Sequence, residues 1–201
     1  MAEIEYWKSV FHGWLTPRVE IEPYVPERRQ TPPRVLIPAT AWKGIESILG
    51  DLIEKFRIGT DECLEFGVEY GYSTVALSCF FDHVTGVDTF CGDEHTGNKS
   101  DIFALTSSRL ACYDNIRLVR SDYRDWIRKD DRTYDLIHVD IVHTYIDTFT
   151  CGLWSAQHAP CVLFHDTLSY PAVKRAVMNV ARQTGRRFYN FEESNGLGIV
   201  V

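Results

Sequence analysis

A chain of 201 residues with 45% hydrophobic content carries enough apolar matter for one domain with a proper buried core. Its 28 acidic residues against 21 basic ones give a net charge of −7, which argues against nucleic acid or an anionic membrane as partner, since both need clustered positive charge. A small neutral or cationic molecule is the better match. No apolar run approaches the roughly 20 residues of a spanning helix, and the start MAEIEYWK has acids where a secretory leader has its basic region, so the expected location is the cytoplasm. The six cysteines (Cys63, Cys79, Cys91, Cys112, Cys151, Cys161) form no CxxC pair and read as reduced, small core residues.

Residues 1–38 hold six of the eight prolines and cannot form a long helix. Tyr6, Trp7, Phe11, Trp14 and Tyr24 give this arm apolar matter to bury, so it is expected to pack on the domain or, alternatively, to act as a lid or a strap between protomers. The domain proper is expected over 39–201. From Thr40, a plausible N-cap, the residues Trp42, Ile45, Ile48, Leu49, Leu52, Ile53 and Phe56 recur at helical spacing. Cys63 to Phe66 reads as a strand, Gly67 and Gly71 bracket a turn, Ser73 to Phe81 reads as a helix, and Val84 to Val87 as a second strand that ends on Asp88.

The loop DTFCGDEHTGNKSD that follows is too long for a mere connector, and Glu94 and His95 within it are candidate substrate contacts or simply solvated. A helix is expected from about Ser100 to Tyr113. The next strand, Ile116 to Val119, ends at Ser121 and Asp122; Asp122 is either a ligand contact or the N-cap of the segment to Arg128. Tyr134 to Val139 is a fourth strand, ending on Asp140. Thr144 to Gln157 is a helix, Cys161 to Phe164 a fifth strand that stops at His165 and Asp166, and Pro171 to Gln183 a helix with its proline in the first turn. Arg187 to Phe191 and Leu197 to Val201 close the chain as two strands joined by the turn Glu193–Gly196. This alternation predicts an α/β fold: a mostly parallel, Rossmann-like, seven-stranded sheet covered on both faces, with one antiparallel strand from the C-terminal hairpin.

The stretch from Glu62 to Asp88 aims a helix N-terminus above the strands, lets a ligand approach the backbone at the glycines, and ends the second strand on an acid placed for two ribose hydroxyls. It is therefore a nucleoside half-site. A dinucleotide fingerprint would need GxGxxG to admit a pyrophosphate, yet Gly67 is followed by Val68 and Glu69. The pattern is ExGxxxGxS instead, and it resembles motif I of the class I S-adenosylmethionine-dependent methyltransferases. The resemblance implies that Glu65, Gly67 and Gly71 hold the methionine end of that cofactor and that Tyr72 and Ser73 meet it at the first helix. It also implies that Asp88 takes the ribose hydroxyls and that Ser121 and Asp122 take the adenine.

Further on, Asp140, His143, Tyr145 and Asp166, in IHVDIVHTY and VLFHDT, resemble the metal-associated branch of O-methyltransferases that acts on sugars of natural products and surface glycans. The loop DTFCGDEHTG is similar to that branch too, so the likeness runs from about Thr60 to Val201. It implies a divalent metal held by Asp140 and Asp166, two carboxylates forming a hard oxygen site, with magnesium expected. His165-Asp166-Thr167 stands in place of the usual acidic pair, which adds His165 to the metal candidates and admits zinc or manganese. His143, three residues beyond Asp140, is the candidate base: an attacking alcohol must lose its proton, and an imidazole can take it near neutral pH. His138, inside a strand, reads as structural. The expected function is O-methyl transfer to a small-molecule or glycan acceptor, with a homo-oligomer left open. The alternatives are a non-catalytic scaffold of the same fold and a metal-dependent hydroxylase.

Overall fold

The computed structural model describes residues 19–37, 40–92 and 100–201. The aromatic arm up to Trp14 and the loop residues Glu94 and His95 lie outside the described residues.

Eight strands form one mixed sheet: β1 (Ile21–Pro23), β2 (Glu62–Phe66), β3 (His83–Asp88), β4 (Ile116–Arg120), β5 (Leu136–Val139), β6 (Cys161–His165), β7 (Phe188–Phe191) and β8 (Leu197–Val200). Their order is β1-β7-β8-β6-β5-β2-β3-β4. Only β8 runs antiparallel to its neighbours, β6 and β7; all other pairings are parallel. The parallel pattern and the single antiparallel strand agree with the sequence, but the strand count is eight rather than seven. The extra strand comes from the proline-rich segment. Ile21 pairs with Phe188, and the Glu22 carboxylate takes the Arg187 guanidinium at 2.8 and 2.5 Å. Pro23 is tolerated because β1 is an edge strand.

The helices are α1 (Leu49–Phe56), α2 (Tyr72–Leu77), α3 (Phe103–Leu110), α4 (Tyr123–Trp126), α5 (Tyr145–His158) and α6 (Pro171–Thr184). The single helix expected from Thr40 is broken into a turn, a 3-10 segment at Ile45–Ile48 and α1. Gly44 has φ 109, a value no right-handed helix contains. The apolar spacing was nonetheless real, since Trp42, Ile45, Ile48, Leu49 and Leu52 are all buried. Thr144 caps α5 by accepting from Asp147 N at 3.1 Å, and Gly185, with φ 69, ends α6.

Alternation along the buried strands divides the core between the two faces. Leu64 and Phe66 pack with α5 and α6, through Phe149, Phe164, Val177 and Val180. Cys63 packs on the opposite face with Trp42, Leu49 and Tyr72. Residues after β1 are strapped across that second face by Asp51, which accepts from Tyr24 Oη at 2.6 Å, Glu27 N at 3.1 Å and Arg28 N at 2.9 Å. Among the described residues no helix is long and apolar enough to cross a membrane.

Candidate active site

Parallel strands leave a crevice at their carboxyl ends. Here it is a cavity of about 980 Å³, lined on one side by Gly67, Tyr72, Ser73, Asp88, Ser121 and Asp122, and on the other by Asp140, His143, His165, Asp166, Tyr170 and Asn195. The structure thus brings together every candidate residue chosen from the sequence except Glu65.

The glycine turn is built by contacts that explain its residues. Gly67 has φ 89, and a Cβ there would lie 1.7 Å from the carbonyl oxygen of Asp140. Gly71 has φ 84 and starts α2 against Leu110. The Asp88 carboxylate ties the turn down: one oxygen accepts from Val68 N and Glu69 N, both at 2.8 Å, and the other from Phe90 N at 2.7 Å. Asp88 therefore organises the loop as well as facing the cavity. Asp122 serves as the N-cap of α4, accepting from Arg124 N at 2.7 Å, while also lining the cavity. Ser121 donates its hydroxyl to Asp122 O at 3.0 Å. Burial and then Glu46 push the Tyr72 phenol up to about 12, so it is neutral at physiological pH.

Glu65 lies behind this wall. It is wholly buried and absent from the cavity lining; one oxygen accepts from the Thr74 hydroxyl, and the other lies 3.0 Å from His138 Nδ1. His138 is structural, as its position in a strand predicted.

At the opposite end, two carboxylates and two imidazoles converge. His143 Nε2 is 2.8 Å from Asp166 Oδ2 and 3.6 Å from Asp140 Oδ1. His165 Nδ1 is 3.1 Å from Asp140 Oδ2 and 3.3 Å from Asp166 Oδ2. The His143 ring is stacked on Tyr170, with centroids 4.1 Å apart and planes 15° from parallel. His165 Nε2 lies 3.0 Å from Ser194 O; because a carbonyl only accepts, this nitrogen carries a proton. Asp166 holds a left-handed backbone, φ 63, as do Ser194 (φ 51) and Asn195 (φ 66) in the hairpin tip that packs on it. The tip accepts from Leu168 N at 2.9 Å through Asn195 O, and Ser194 Oγ donates to Lys43 O at 2.6 Å.

Burial opposes charge on both imidazoles, yet the carboxylates outweigh it: hydrogen bonds to Asp140 and Asp166 raise His143 to about 9, and the Asp140 charge and hydrogen bonds raise His165 to about 10. Burial likewise opposes ionisation of the acids, but the histidines hold both Asp140 and Asp166 below the ordinary carboxylate range. The stability consequence has a definite sign. The histidine contribution is complete below the unfolded value of 6.5 and is lost as pH rises through about 9 to 10. The aspartate contribution is complete above 3.8 and is lost below it. Urea midpoints in metal-free buffer should therefore be highest between these limits and fall toward pH 10, and His165→Gln should flatten the alkaline limb. An alkaline limb as steep in that variant as in the parent protein would show that other groups produce it.

The ligand atoms of Asp140, His143 and Asp166 all lie within 4.8 Å of one another, a set able to hold a metal ion. His165, chosen from the sequence as a further ligand, has one nitrogen on a carbonyl and the other facing both carboxylates. Sequence reasoning missed Trp42, Tyr170 and Asn195 as lining residues. The only signals were a tyrosine immediately before the Pro171 that starts a helix and an asparagine in a predicted hairpin turn.

Residues 64–167 match the family model described as methyltransferase domain. No curated protein sequence matches the chain. Among solved structures, the chain is similar to a provisionally assigned caffeoyl-CoA O-methyltransferase from Staphylococcus aureus (TM-score 0.61, 16% identity, 83% of this chain and 85% of that one). It is also similar to an O-methyltransferase from Bacillus cereus in complex with SAH (TM-score 0.53, 14% identity, 84% of each chain). A third is the N-methyltransferase NodS from Bradyrhizobium japonicum (TM-score 0.51, 11% identity, 74% of this chain and 90% of that one). At these identities the likeness is one of fold.

Proposed function

The chain belongs to the methyltransferase-domain family and is an S-adenosylmethionine-dependent methyltransferase of class I, and from that premise we propose that it transfers the methyl group to a hydroxyl of a small, sugar-containing acceptor. One observation carries the reading: the glycine turn and the Asp140–His143–Asp166 cluster face each other across a single cavity. A scaffold would have no use for four buried or half-buried titratable groups at its far end. Ser169, Tyr170 and Asn195 add hydrogen-bonding groups beside the carboxylates, which suits a polyhydroxylated acceptor.

In this reading Gly67, Gly71, Tyr72 and Ser73 receive the methionine end of the cofactor, Asp88 the ribose, and Ser121 and Asp122 the adenine. An acceptor oxygen attacks the methyl carbon while the carbon–sulfur bond breaks, its electron pair staying on sulfur. His143 takes the hydroxyl proton on Nε2 when that nitrogen is bare; its partners keep it protonated below about 9, so the bare form is the minor one at neutral pH. Asp140 and Asp166 would hold a divalent cation beside it, magnesium, zinc or manganese. Such an ion, when bound, supplies positive charge that favours the bare imidazole and the ionised hydroxyl.

Titration of the full chain with labelled S-adenosylmethionine tests the cofactor half of the reading. Saturable binding at tens of micromolar or tighter is expected, weakened at least about tenfold by Asp88→Asn, since the carboxylate both anchors the loop and faces the ribose. Binding indifferent to that substitution would remove Asp88 from the site.

A further inference from the structure

The parallel register sets Glu65 of β2 beside His138 of β5, and both side chains are fully buried. They belong to a row of four: Trp42, His138, Glu65 and Thr74. Its protons are fixed by the member with no choice, because an indole nitrogen only donates. Trp42 Nε1 lies 3.1 Å from His138 Nε2, so Nε2 is bare and the imidazole is neutral. Its proton sits on Nδ1 and is donated to Glu65 Oε1 at 3.0 Å. The Thr74 hydroxyl donates to Oε2. The close approach of His138 and Glu65 is thus a neutral hydrogen bond rather than an ion pair.

Glu65 therefore has two neutral donors, and among the described residues no lysine, arginine or charged histidine pairs with it. Two hydrogen bonds satisfy the carboxylate but leave its negative charge uncompensated in a low-dielectric interior, where charge acts over longer distances than in water. The row ends at the cavity on both sides. Trp42 is part of the cavity wall, and Thr74 follows Tyr72 and Ser73, which line it. The field of Glu65 falls on the glycine-turn end, where the reading above puts the methionine part of the cofactor.

Resting on that reading, we propose that Glu65 is a specificity-determining residue that favours the cationic sulfonium donor over its neutral thioether product through buried charge, without touching either. The transfer itself then weakens binding. When the methyl group leaves, the carbon–sulfur pair returns to sulfur, the positive charge disappears, and with it the attraction toward Glu65. Trp42 and His138 are positioning residues in this scheme, since they keep the imidazole neutral and so keep the carboxylate unpaired.

The test is calorimetric binding of S-adenosylmethionine and S-adenosylhomocysteine to the full chain and to Glu65→Gln, an isosteric change that removes the charge. The donor's affinity should fall about tenfold and the product's by less than about twofold, so the ratio of the two dissociation constants shifts by most of a decade. A ratio unchanged while both ligands still bind overturns the inference and leaves the methyltransferase reading intact; failure of both to bind the parent protein sinks the two together. Should Glu65→Gln not fold, judged by its melting transition, the parent protein provides the same test. A cofactor analogue with a protonated nitrogen in place of the sulfonium should bind within about threefold of the donor and about tenfold tighter than the thioether, and an analogue no tighter than the thioether overturns the inference.

Discussion

Asp140→Asn is expected to lower kcat by at least about 100-fold while the affinity for S-adenosylhomocysteine stays within about threefold. The side chain sits at the acceptor end, 3.6 Å from His143 Nε2 and 3.1 Å from His165 Nδ1, and the substitution keeps its shape while removing its charge. Without that charge His143 loses one of the two groups that orient and tune it, and any cation loses a ligand. The cofactor end meets Asp140 only through the backbone carbonyl above Gly67, which the substitution leaves in place. Single-turnover rates and product binding, measured on the same preparation, separate the outcomes. Equal losses in kcat and in cofactor affinity would make Asp140 a structural residue of the crevice and would falsify its role toward the acceptor.

Gly67→Ala should be the most damaging single change to the fold, costing more than about 4 kcal/mol or abolishing folding altogether. Two penalties coincide. The backbone has φ 89, which L side chains rarely adopt, and the new methyl would lie 1.7 Å from a backbone oxygen that cannot rotate away. Relief would require β2 and β5 to separate next to the Phe66 and Asp140 bond, now 2.8 Å long. Gly185→Ala provides the control, because φ 69 is also left-handed but nothing lies within 4 Å of the added Cβ. That variant should lose only about 1 kcal/mol. Chemical denaturation of both variants decides the matter: if they prove equally stable, the close approach to Asp140 carries no weight.

The parallel strands and the acids at their ends were legible in the sequence because both signals are local. A strand buried on two faces is an apolar run, and the crevice beyond it collects the next polar residues; Glu65, Asp88, Asp122, Asp140 and Asp166 were all found that way. What escaped depends on partners remote in the chain. β1 owes its place to Phe188 and Arg187, and nothing in the three residues themselves marks a strand amid prolines. The break at Gly44 looked like one tolerated glycine in a helical pattern. Asn195 joins the cavity only because Gly196 and its neighbours fold back onto Asp166 to Ser169. Glu65 was recognised by its spacing, but spacing cannot tell a residue that touches a ligand from one that lies behind the wall.

The order of strands also sets a timetable. β7 reaches the rest of the sheet only through β8, and β1 only through β7, so β1 has no partner until residues 188–200 exist. At translation rates of roughly 5–20 residues per second, that interval is on the order of 10 to 35 seconds. The parallel block from β2 to β6 can assemble meanwhile from chain already made. The edge strand, among the earliest segments synthesised, is then the last to dock, and it does so over the largest loop in the molecule. Until that moment His165 lacks the Ser194 carbonyl that fixes its proton, so the acceptor end of the cavity matures after the cofactor end.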